Sequence, residues 1–101
     1  MDIKELTQEM HNFVSSQGWY EENSPRPQTL RNLAISLTLE ATEVLEHFQW
    51  SGEQGDPEEL KSELADVALY LLQIASIADI DLEQAILMKL EQNYGRSWDQ
   101  E

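Results

Sequence analysis

Two pairs of acids carry the chemistry that this sequence can offer: Glu40 with Glu43, and Glu63 with Asp66. Within each pair the spacing is i, i+3, which sets both carboxylates on one side of a helix. On a helical wheel, Leu30, Leu33, Ala34, Leu37, Ala41, Val44, Leu45 and Phe48 form an apolar stripe, with Glu40 on its border. Ile35, Leu39 and Trp50 make a second apolar group beyond Glu43. In the following helix Leu60, Leu64, Val67, Leu71, Ile74 and Ala78 make the stripe; Glu63 falls inside it, and Asp66 and Tyr70 line its edge. Carboxylates turned toward an apolar interior repel one another and lose hydration, so they take up protons, find cations or unfold the helix. A divalent metal answers that need. Ligands that are all oxygen select a hard ion, so Mg2+ or Mn2+ is favoured over zinc. The plainer alternative is that both pairs are ordinary solvated helix faces, the common fate of exposed acids. Two such pairs, each bordering an apolar stripe on successive helices, favour the metal site.

The elements that must position these acids are helices, and the pattern gives four of them in one domain spanning residues 1–101. The first covers 3–17, with Asp2 and Glu5 in a capping-box pattern, Ile3, Leu6, Met10, Phe13 and Val14 on its apolar face, and Gly18 as the residue just past its end. His11 beside that face is read as a surface or half-buried histidine. Trp19 stands at the helix–loop junction, either as a core plug or as a stacking surface for a planar ligand. Pro25-Arg26-Pro27 forbids helix and marks an extended linker. Helix two starts behind a Thr29 cap and runs to about Trp50. Ser51-Gly52-Glu53-Gln54-Gly55 breaks it. Asp56-Pro57-Glu58-Glu59 opens helix three with a cap, a proline in the first turn and acids at the N-terminal end. That helix runs to about Ala78, and the run from Val67 to Leu72 is apolar nearly all round, as in a helix buried on several sides. After a turn at Asp79-Ile80-Asp81, helix four covers 82–94, Gly95 ends it, and Ser97–Glu101 around Trp98 forms a loosely held tail.

Composition excludes several classes. With 20 acids against 6 bases the formal net charge is −14, so the chain carries no basic patch for nucleic acid and is repelled by anionic membranes. It has no cysteine, hence no disulfide framework or thiol chemistry. No apolar run approaches a membrane span, and the opening residues lack the pattern of a secretory signal, so a cytoplasmic protein is expected. A short chain with apolar residues on two faces of helix three is expected to dimerise, or to pair dimers into a tetramer.

The order of the motifs resembles a known family. Glu40-Ala41-Thr42-Glu43 is followed, after 19 residues, by Glu63-Leu64-Ala65-Asp66. Arg31-Asn32-Leu33 precedes the first pair and Phe48-Gln49-Trp50 follows it. Asp66-Val67-Ala68-Leu69-Tyr70 continues the second, and Lys89, Asn93 and Arg96 sit in or just past the last helix. From about Phe13 to Arg96 the chain resembles the MazG-like all-α nucleoside triphosphate pyrophosphohydrolases, and among them the compact dCTP pyrophosphatase branch. It departs from the longer MazG form where Leu39 replaces an additional Glu. It departs from the dCTP branch where Met10, with His11 beside it, stands in place of a His.

The resemblance implies an all-α four-helix subunit of an oligomeric bundle. Its activity would be Mg2+-dependent hydrolysis of a nucleoside triphosphate, a pyrimidine deoxynucleotide such as dCTP, to the monophosphate and pyrophosphate, serving as nucleotide-pool house-cleaning. It implies Glu40, Glu43, Glu63 and Asp66 as metal ligands, with Glu43 also the general base. Trp19 and Trp50 would stack on the base, Lys89 and Arg96 hold phosphate oxygens, and Asn93 and Tyr70 orient sugar or phosphate. The rival reading is a non-catalytic acidic helical module that binds a partner protein through exposed apolar faces. A di-iron carboxylate bundle is set aside, because it needs Glu-x-x-His pairs and Glu43 and His47 are four apart.

Overall fold

A computed structural model describes residues 1–50 and 55–97 and contains four helices: α1 (Ile3–Ser16), α2 (Leu30–Glu46), α3 (Pro57–Ile77) and α4 (Leu82–Tyr94). Each begins where its capping residue stands. Asp2 and Glu5 exchange the two bonds of a capping box. Thr29 accepts from the Asn32 amide, Asp56 from that of Glu58 ahead of Pro57, and Asp81 from that of Gln84. Such caps satisfy amides that have no partner within the helix, typically stabilising each by about 1 kcal/mol.

Two helix ends share one device. At the end of α1, Gly18 adopts a left-handed φ of 74° while the Gly18 and Trp19 amides bond to the Ser15 and Val14 carbonyls. At the end of α3, Asp79 takes φ 58°, and the Asp79 and Ile80 amides bond to Ser76 and Ala75. Both are Schellman motifs, one on glycine and one on a residue whose short polar side chain tolerates this region.

Helix α2 is shorter than its apolar pattern predicts. It stops at Glu46, and the amides of His47, Phe48 and Gln49 reach back three residues to Val44, Leu45 and Glu46. This tightening of the last turn satisfies carbonyls at the end of the helix, and it carries Phe48 to Trp50 off the α2 face. The expected break at Ser51–Gln54 and the tail at Trp98–Glu101 lie outside the described residues.

Helices α2 and α3 pack along each other, α1 packs against α3, and α4 makes a smaller contact with α3. The pairings Glu40 with Asp66 and His47 with Glu63 show that α2 and α3 run antiparallel. The core is small: Met10 and Val14 from α1, Leu33 from α2, and Ala75 from α3. Gln73 is buried among them, its amide donating to the Tyr20 hydroxyl and to Gln28 Oε1. The expectation that α3 is buried on several sides is not met within one chain, since Leu64, Leu69 and Leu71 are 51%, 42% and 43% exposed. Helix α4 buries no residue at all. One four-helix chain lacks the elements to cover these faces. No helix among the described residues is long and apolar enough to cross a membrane.

Candidate active site

The Schellman turn at the end of α1 aims Trp19 back along its own helix. Trp19 meets Phe13 edge to face, with centroids 5.7 Å apart, a hydrophobic contact that often accompanies this motif. The extended Pro25-Arg26-Pro27 segment brings the Arg26 guanidinium to 5.4 Å from the centre of the indole ring. Tyr20, next in sequence, fastens this stretch to α3. Its hydroxyl accepts from Gln73 and lies 2.6 Å from His11 Nδ1, while His11 Nε2 lies 2.7 Å from Ser76 Oγ. Burial pushes the Tyr20 hydroxyl above its ordinary pKa, opposed by the bond from Gln73. The loop is therefore held to the helices by polar contacts as well as by packing.

Between this loop and the α2–α3 pair lies a cleft of about 630 Å³, within the range of small-molecule sites. Met10, Phe13 and Trp19 line its apolar side; Glu40, Asp66 and Tyr70 stand along its α2–α3 wall. Glu43 belongs to the same cluster, with its carboxyl within hydrogen-bonding reach of Glu40. Glu40, Glu63 and Asp66 are half-buried, whereas Glu43 is exposed. The charges of Glu43, Glu63 and Asp66 thus meet at Glu40 across the helix pair.

Glu40 feels this arrangement most. Burial holds its carboxyl above the usual carboxylate range, and the Glu43 charge, a Glu43 hydrogen bond and the charges of Asp66 and Glu63 add to the effect in that order. One of its oxygens, Oε2, is sealed from solvent with no hydrogen-bond partner. Among the described residues no three acidic or histidine side chains stand close enough to form a ready-made metal cage. The donor set nevertheless fits a hard cation: four carboxylates whose fields meet at Glu40, one with an unsatisfied buried oxygen. Magnesium commonly completes its shell with water and substrate phosphates, so a full protein cage is not required.

Of the other residues singled out in the sequence, Trp19 and Tyr70 line the cleft and Trp50, Lys89, Asn93 and Arg96 do not. Trp50 lies beyond the end of α2 and is 89% exposed. Lys89 is exposed on α4, Asn93 is half-buried near its end, and Arg96 follows it. Two participants escaped the sequence reading. Arg26 had a signal, since flanking prolines fix the direction of a cation near Trp19. His47 had one as well: it lies four residues after Glu43 and seven after Glu40, hence on the same helical face. In the structure its Nε2 contacts Glu63 Oε2.

Comparisons with known proteins agree with this architecture. A model of the MazG-like family matches residues 35–101. The dCTP pyrophosphatase 1 of Homo sapiens is 36% identical over 104 aligned residues, covering 94% of this chain and 56% of that protein. The Mus musculus protein of the same name is 34% identical with the same coverage. The chain therefore spans about half the length of the curated relatives it matches. A pyrophosphatase from Archaeoglobus fulgidus, known from its crystal structure, superposes with a TM-score of 0.72 at 34% identity. The superposition covers 89% of this chain and 86% of that one.

Proposed function

The chain belongs to the MazG-like family, and from that premise we propose that it hydrolyses a nucleoside triphosphate to the monophosphate and pyrophosphate in the cleft beside α2 and α3. One observation carries the reading. The sealed, unpartnered oxygen of Glu40 faces the charges of Glu43, Glu63 and Asp66 beside a cleft of about 630 Å³. Such an arrangement costs stability unless a cation and its anionic ligand complete it. The relatives named for dCTP and the similar pyrophosphatase structure support the reaction class, and a pyrimidine deoxynucleotide such as dCTP is the substrate we propose.

Glu40, Glu43, Glu63 and Asp66 would hold Mg2+ or Mn2+. An ion held there would neutralise triphosphate charge and lower the pKa of a bound water. The remaining work falls to side chains of this protein. Glu43, the exposed member of the four, has the solvent access that a general base needs to take a proton from attacking water. Trp19 offers a planar face beside the cleft, already able to carry the planar guanidinium of Arg26, and would stack on the base. Tyr70 lines the same wall and would orient sugar or phosphate.

Trp50, Lys89, Asn93 and Arg96 would act on the site of a neighbouring copy. The motive is an α4 without buried residues, on which Ile86, Leu87, Met88, Leu90 and Tyr94 are exposed. The radius of gyration, 16.4 Å, also exceeds the roughly 13 Å of a compact chain of about this length. A homodimer or homotetramer would cover these faces. Pyrophosphate release from dCTP with Mg2+, compared among wild type, Glu43→Gln and Asp66→Asn, tests the proposal. Wild type is expected to turn over and both variants to lose activity while keeping their helical circular dichroism. A wild-type protein inert toward all natural nucleoside triphosphates would overturn the proposal and leave the non-catalytic interaction module.

A further inference from the structure

We propose that His47 is a positioning residue of this centre: its Nε2–H donates to Glu63 Oε2 and fixes the orientation in which that carboxylate meets a metal. The inference rests on the metal-dependent reading above. His47 is the C-cap of α2, where the last turn tightens. Lying on the same helical face as Glu40 and Glu43, it turns toward α3. Its side chain is only 6% exposed and that of Glu63 is 24% exposed, with Nε2 and Oε2 2.5 Å apart. Both atoms are sealed from solvent, and neither has a hydrogen-bond partner among the described residues, so the approach of one to the other is what must answer their polarity.

Chemistry fixes the direction of this contact. An ionised carboxylate only accepts, so the nitrogen facing it must carry the hydrogen; two lone pairs at that distance would repel. A bond to a charged acceptor is among the stronger kinds. It engages one Glu63 oxygen and leaves the other, Oε1, available to a cation. It also restricts a long side chain that otherwise loses rotamer freedom when a metal binds. Partners of metal-ligating carboxylates work in this way, and their loss typically weakens metal affinity by about 10–100-fold. Packing alone does not account for the pair, because a buried apolar side chain would fill the space without a sealed nitrogen to satisfy.

The test separates the donor from the volume. His47→Leu keeps an apolar side chain of similar bulk and lacks the N–H, whereas His47→Gln retains an amide N–H. Mn2+ binding is titrated by electron paramagnetic resonance of the free ion, with and without a non-hydrolysable nucleoside triphosphate, and melting in chelator reports the fold. His47→Leu is expected to weaken Mn2+ binding by about 10–100-fold, while His47→Gln stays within a few-fold of wild type. Should His47→Leu fail to fold, His47→Met serves as the donor-free variant with the same expectation. Wild-type Mn2+ affinity in the donor-free variant would overturn the proposal, as would equal weakening in His47→Gln. Wild-type protein that binds no Mn2+ under either condition would overturn this proposal and the metal reading together.

Discussion

Glu40→Gln should make the metal-free protein more stable and the enzyme inactive. The carboxyl of Glu40 is held above its ordinary value of 4.5, first by burial and then by Glu43, Asp66 and Glu63. The sign follows from linkage. A carboxyl whose pKa rises on folding adds stability below its ordinary value, and that contribution is lost as pH rises through the raised value. At neutral pH without metal, the Glu40 charge therefore works against the fold. Its sealed Oε2 carries part of that charge without a hydrogen bond, and removing the charge relieves a desolvation cost typically of about 1–3 kcal/mol, whereas the amide is neutral and its N–H can donate to the Glu43 carboxylate. Because the residue as a whole is half-buried, solvent screens part of the repulsion, and the lower end of that range, about 1 kcal/mol, is the expected gain on substitution. In a domain of this size that corresponds to a rise in melting temperature of about 4–8 °C. Calorimetric melts in chelator measure it directly. The difference between variant and wild type should close as pH falls toward 4.5, where Glu40 becomes neutral like the glutamine. With Mn2+ and a non-hydrolysable triphosphate the order should reverse, because wild type alone keeps the ligand. A variant no more stable than wild type in chelator, or a difference independent of pH, would refute the reasoning.

Mg2+ or Mn2+ together with a non-hydrolysable triphosphate should raise the melting temperature by more than the sum of their separate effects, with matched sodium ionic strength as the control. An additive response would mean that the four acids and the triphosphate do not share one site. Light scattering at micromolar concentration should show a dimer or a tetramer, since one chain leaves Leu64, Leu69, Leu71 and most of α4 uncovered; a monomer would defeat that expectation.

The parts of this fold legible in the sequence are those decided by short-range chemistry. Asp2, Thr29, Asp56 and Asp81 each cap the helix they precede, because a cap is a hydrogen bond across two or three residues and the sequence states both partners. The acid pairs were legible for the same reason, as i, i+3 spacing means one face on any helix. The end of α2 was not. Its apolar pattern continues to Trp50, but the carbonyls of Val44 to Glu46 accept bonds from three residues ahead. Periodicity records which residues are apolar and says nothing of where the backbone tightens.

His47 marks the boundary between local and tertiary information. Its spacing of four from Glu43 does not fit a Glu-x-x-His ligand pair, which needs three. The spacing did place it on the acid face of α2. What it could not supply was the residue opposite, which depends on the antiparallel register of α2 against α3 and on the path of the chain between them. A shift by one turn of α3 would exchange Glu63 for Glu59 or Val67, and the same histidine would meet a solvated acid or an apolar side chain. Register sets an unremarkable histidine against a half-buried carboxylate, just as it brings the charges of two commonplace acid pairs together. The acids supply the charge that calls for a cation. The α2–α3 packing brings the charges of Glu43, Glu63 and Asp66 to bear on Glu40.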